Sequence, residues 1–158
     1  MRTALAVLAG IVILVVVVFL ALIWPSGRPE IGSVSTNFRL FGPNDTVKVE
    51  RFDDPKVPGV SCYASFAQTG GIAGGLGAAE DPSQFSLFCV AHQAVTLPAG
   101  LPDQEDVGSI SASLFFKHFT LTRMVDRQTS TLVYVLTSSK LLHGSPANAV
   151  SAVPAGAQ

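Results

Sequence analysis

Two adjacent acidic pairs, Asp53–Asp54 and Glu80–Asp81, are the side chains of this chain best suited to do chemistry. Carboxyl groups that meet in one cleft can act as general acid and general base, or can offer hard oxygen ligands to a cation. Near them lies the stretch QTGGIAGGLGAAEDPS, Gln68 to Ser83, in which five of the eight residues from Gly70 to Gly77 are glycine. A glycine-rich loop cradles phosphates when a lysine and then a hydroxyl residue follow at fixed spacing. No Lys or Arg lies between Cys62 and Cys89, so that chemistry is missing. The dinucleotide fingerprint fails too, because the series from Gly75 reads Gly-Leu-Gly-Ala-Ala-Glu and ends on Glu80. The glycines instead suit backbone with positive φ or close passage over a sheet. Exposed amides there could form an anion-binding nest. The candidate ligand or partner site is therefore Asp53, Asp54, Gly70, Gly71, Gly74, Gly75, Glu80 and Asp81.

The remaining polar residues suggest less. His92, His118 and His143 stand apart, with no second ligand at a diagnostic offset, and no metal site is expected. Ser109 follows Gly108 but lacks the rest of a nucleophile elbow. Asp103, Glu105 and Asp106 share a segment whose spacing does not match a calcium loop. Scattered basic residues and a formal net charge of −1 argue against a nucleic-acid footprint. No cofactor is expected.

The elements that would position these residues are short strands. Thr46–Phe52 alternates, with Val47, Val49 and Arg51 on one face and Thr46, Lys48, Glu50 and Phe52 on the other. Val60, Cys62, Ala64 and Phe66 share a face, as do Phe85, Leu87 and Cys89. Residues 96–108 read as loop. Strands follow over 109–117, 119–126 and 131–140, the last two joined as a hairpin, and a short edge strand is expected at Ala149–Val153. Phe115 and Phe116 would put rings on both faces of one strand, buried twice or open to a partner groove. Ile72–Glu80 is the best helix candidate, held to one or two turns by its glycines. The expected fold is mainly β: a single antiparallel sandwich or partly closed barrel with one short helix.

Ahead of this domain, Ala4 to Trp24 carries no charged or conventionally polar side chain. As a helix it would span ~31 Å, the thickness of a bilayer core. The favoured expectation is a transmembrane anchor, with residues 1–3 in the cytoplasm, 25–30 as linker, 31–154 as the exported domain and 155–158 as a frayed tail. The folded part would then lie in the periplasm or extracytoplasmic space, attached to the inner membrane through residues 4–24. The alternative is signal cleavage near Gly27 and release as a soluble periplasmic protein. Cys62 and Cys89 both fall in the exported part, where a disulfide is allowed. Two independent buried thiols are the other reading.

Several blocks carry a resemblance. Glu30–Val34, then Val49 to Cys89 with Phe52-Asp-Asp-Pro55, Cys62, Thr69–Asp81 and Cys89, and finally Leu132 to Pro154 with Gly144-Ser-Pro146 and Asn148, resemble the bacterial CreA family of exported proteins. The likeness runs over nearly all of Glu30 to Pro154. It implies a periplasmic protein of uncharacterised activity and no known catalytic residues; the family label suggests catabolite regulation without stating a reaction. The chain departs from the family in its longer apolar N-terminus and in a less basic segment from Phe115 to Thr131. The functional expectation is an exported, membrane-anchored domain that binds an envelope protein or small ligand without catalysis. The alternative is a carboxylate-based or metal-assisted envelope enzyme using the Asp53/Asp54 and Glu80/Asp81 loops. Oligomeric state is left open.

Overall fold

The computed structural model describes residues 10, 12–14, 16, 29–71, 85–111, 118–142 and 145–156. Eight strands follow one another: β1 Glu30–Asn37, β2 Asp45–Asp53, β3 Val60–Gln68, β4 Phe85–Ala91, β5 Gln104–Ser111, β6 His118–Asp126, β7 Thr131–Leu142 and β8 Ser145–Pro154. They form two four-stranded antiparallel sheets in simple meander order, β1-β2-β3-β4 and β5-β6-β7-β8.

Mainly β and antiparallel is what the alternating sequence pattern implies. The partly closed barrel is corrected: among the described residues no backbone ladder joins the two sheets. Where β4 lies beside β8, Cys89 N donates to the Ser151 hydroxyl at 2.9 Å, a side-chain contact in place of strand pairing. One core fills the space between the sheets. Cys62, Ala64 and Phe66 of β3 and Cys89 of β4 meet Phe119, Leu121, Leu132, Tyr134 and Leu136 from the second sheet. Phe119 lies at its centre, with its ring centroid 4.9 Å from that of Phe66 and 5.0 Å from that of Phe85.

Two boundaries differ from expectation. Residues 96–108 are not wholly loop, because β5 begins at Gln104 and pairs with β6 from Met124 onward. The C-terminal strand spans all of Ser145–Pro154 rather than five residues, since its register with β7 continues on both sides of 149–153. Beyond it, Gly156 N donates to Val95 O at 2.7 Å. The expected helix at 72–80 and the paired rings of Phe115 and Phe116 lie outside the described residues.

The transmembrane anchor is also corrected. Crossing a bilayer takes about 20 consecutive apolar residues in one helix, and among the described residues no helix is long and apolar enough. Of residues 4–24, only Gly10, Val12, Ile13, Leu14 and Val16 are described; they are helical and exposed. The inner-membrane placement and the lipid partner that depended on this span are set aside with it.

Candidate functional site

Asp54 sits where β2 ends, and its carboxylate organises the connection to β3. Oδ1 accepts hydrogen bonds from the backbone amides of Lys56 at 2.8 Å and Val57 at 3.1 Å, a local turn that aspartate forms readily. Asp54 N donates to Val60 O, closing the loop. Val57 is thereby driven into the core, and Gly59 turns the chain at φ +88°, a conformation that favours glycine.

The same carboxylate reaches across to the second sheet. Arg123 Nη1 lies 2.8 Å from Asp54 Oδ1 and 2.9 Å from Oδ2, and the Tyr134 hydroxyl donates to Oδ2 at 2.8 Å. These donors converge because of strand register: Glu105 pairs with Arg123 across β5 and β6, and Arg123 with Tyr134 across β6 and β7. One row of side chains therefore presents Glu105, the guanidinium and the phenol side by side. Arg123 Nη2 donates to Glu105 Oε2 at 2.6 Å, and the Lys56 ammonium pairs with Glu105 Oε1 at the rim. The Arg123 and Asp54 side chains are 0% and 1% exposed.

Charge balances along this chain of contacts, two acids against two bases, as burial demands. The hydrogen bond from Lys56, reinforced by Arg123, holds the Glu105 carboxyl below its ordinary range. Burial pushes the Tyr134 phenol far above its ordinary range, and the hydrogen bond to Asp54 adds to the effect. A carboxylate that already accepts from two amides, a guanidinium and a phenol has no lone pair left for a substrate proton. Asp54 ties the two sheets together.

Asp53 is engaged separately. Its Oδ1 accepts from the Ser61 hydroxyl at 2.6 Å and lies 3.3 Å from Arg51 Nε. The two neighbouring acids thus point to different partners, as consecutive residues of an extended chain do. Glu80 and Asp81 lie outside the described residues, and no group of three potential metal ligands occurs among the described ones. The carboxylate-based or metal-assisted enzyme is corrected accordingly, since its leading acid is fully bonded inside the protein.

Of the glycine positions, Gly70 and Gly71 are described, whereas Gly74 and Gly75 are not. Gly70 N donates to Asp45 Oδ1 at 2.7 Å, and Gly71 N to Pro43 O at 2.7 Å. Both amides are spent on the β1–β2 turn, so neither belongs to an anion nest. A Cβ on Gly70 would stand 2.0 Å from Pro43 O, which explains the glycine by close backbone approach. Asp45 also accepts from Arg39 Nε at 2.9 Å and Nη2 at 3.0 Å and from Asn37 Nδ2 at 3.2 Å. The Arg39 hydrogen bonds come first, with that from Gly70 next, in lowering the Asp45 carboxyl to about 2.

This network fixes the base of the β1–β2 hairpin and leaves its tip bare. Phe38, Leu40 and Phe41 are 81%, 78% and 74% exposed, an unusual concentration of large apolar side chains on four consecutive residues.

The two cysteines form a disulfide, Cys62–Cys89, joining directly opposed residues of β3 and β4 within one sheet. Such a bond forms and persists in an oxidising environment.

Sequence reasoning missed Arg123, Tyr134 and the apolar tip. The signal for Arg123 was present: it continues the inward alternation of Phe119 and Leu121, where a charge must find a buried partner. Phe38 and Leu40 alternate with polar neighbours as strand residues do, but β1 ends at Asn37.

The family model described as CreA protein matches residues 31–158. Protein CreA of Escherichia coli strain K12 is 43% identical over 129 residues, covering 79% of this chain and 82% of the relative. The Protein CreA sequences of E. coli O6:H1 and O157:H7 match to the same extent. No solved structure is a significant match. This chain belongs to the CreA family.

Proposed function

We propose that this domain works by recognising another protein through the tip of its first hairpin. The observation that carries the reading is the exposure of Phe38, Leu40 and Phe41 on a turn whose base is locked by Arg39, Asp45 and Gly70. Apolar side chains in water contribute little to folding, while aromatic anchors held on a fixed backbone are what protein interfaces bury at their centres. Preorganisation by the Asp45 network lowers the ordering cost that a floppy loop would incur on binding. The buried Asp54–Arg123–Tyr134 tie serves this function indirectly, by holding the two sheets as one rigid support.

The test compares the full chain with Leu40→Ser/Phe41→Ser in extracts of the native host, followed by size-exclusion chromatography. The wild type is expected to elute in a larger species, and the double variant at its own size with an unchanged melting temperature. Identical elution of the two proteins would overturn the proposal.

A further inference from the structure

The outer face of the first sheet is only partly polar: Ser65 and Ser86 bond to each other across it at 2.8 Å, and valines and aromatic rings lie to either side of them. Pairing of Phe52 with Cys62 turns Phe52 inward, and along the rest of β2 it turns Thr46, Lys48 and Glu50 to that same side. Val47 and Val49, which read as the apolar face of β2, therefore point away from the core. Val34 lies opposite Val47 on β1, and across β3 Tyr63 lies opposite Phe88 of β4. Val34 and Phe88 are about two-thirds exposed, at 66% and 67%. Charge on this face is already neutralised within it, Arg51 by Asp53.

We infer that this face is a self-association surface, on which a second copy of the chain packs sheet against sheet around a two-fold axis. Two properties favour a second copy over a foreign partner. A face whose charges are paired internally has no net charge to repel its own image, and a two-fold contact requires only that the patch complement itself. The area also suffices. Four strands of seven to nine residues cover a face of ~19 Å by ~27 Å, or ~500 Å². Two such faces bury ~1,000 Å², the lower bound for a specific interface, which fits a reversible dimer. This surface is distinct from the hairpin tip, so its failure would leave the recognition reading standing.

Sedimentation velocity on the full chain, from about 1 µM to 1 mM, tests the inference. The expected result is a monomer–dimer equilibrium whose dissociation constant rises at least tenfold in Phe88→Arg and in Val49→Lys. Val150→Lys, at an exposed position on the second sheet, is expected to leave it unchanged. Circular dichroism and melting temperature establish that each variant is folded, and Val49→Lys serves if Phe88→Arg is not. A monomer throughout the range would overturn the inference. So would association that ignores both face variants, or a chain that stays monomeric while using this face to bind vesicles or a different protein.

Discussion

Replacing Asp54 by asparagine removes one charge and little volume, so it isolates the electrostatic part of the inter-sheet tie. In the native protein the carboxylate accepts from Lys56 N, Val57 N, Arg123 Nη1 and the Tyr134 hydroxyl, all away from water. Asparagine can still accept the two amide bonds through its carbonyl oxygen. Its amide nitrogen, however, faces the guanidinium or the phenol as a second donor. Removing one partner of a buried ion pair costs about 3–5 kcal/mol. Glu105 stays 2.6 Å from Arg123 Nη2 and keeps part of the compensation, so the lower end, ~3 kcal/mol, is expected. With a urea slope of about 1.5–2 kcal/mol per molar, the unfolding midpoint should fall by roughly 1.5–2 M. Equilibrium unfolding followed by circular dichroism, with the slope checked for constancy, is the assay. Adding Arg123→Met and Tyr134→Phe to Asp54→Asn should recover much of the loss, because the asparagine carbonyl keeps the Lys56 and Val57 amide bonds while the two donors facing its amide nitrogen are gone. A midpoint drop below about 0.3 M for Asp54→Asn, equivalent to ~0.5 kcal/mol, would refute the tie.

Three further outcomes follow from the same geometry. Replacing both Cys62 and Cys89 by alanine should cost ~3.5 kcal/mol, the chain-entropy value for the 27-residue separation; thermal unfolding measures it, and an unchanged midpoint would contradict it. Gly70→Ala should lose ~1–3 kcal/mol by overpacking, because the new methyl meets the backbone carbonyl of Pro43; chemical denaturation checks this. The pH dependence has a fixed sign: the Asp45 carboxyl is depressed from 3.8 to about 2 by folding, so its contribution is fully present above ~pH 4–5 and lost as pH falls through 2. Melting temperature should therefore drop on acidification across that window, and Asp45→Asn should flatten the drop. A rise in stability toward pH 2 would contradict the assignment.

The fold was legible where burial and alternation agree. β3 and β4 announce themselves because Val60, Cys62, Ala64 and Phe66, and then Phe85, Leu87 and Cys89, all face one core. β2 misleads for a physical reason: its valines alternate correctly but face outward, and the residue that enters the core, Phe52, stands on the side that reads as polar. Alternation gives two faces without saying which is inside; pairing with β3 decides that. Asp54 looked reactive because an acid beside a proline-rich turn resembles an exposed loop residue. Its partners Arg123 and Tyr134 lie 69 and 80 positions away, and no local pattern spans that distance. The glycine stretch was legible only at its start, where Gly70 and Gly71 spend their amides on the preceding turn.

The central claim is that the bare hairpin tip meets a protein partner. Site-specific photo-crosslinking from position 41 in living host cells tests it directly, with the exposed turn residue Gln128 as the control position. The account predicts one discrete adduct from position 41, lost on Leu40→Ser, and none from position 128. Absence of any adduct from position 41, or the same adducts from both positions, would contradict it.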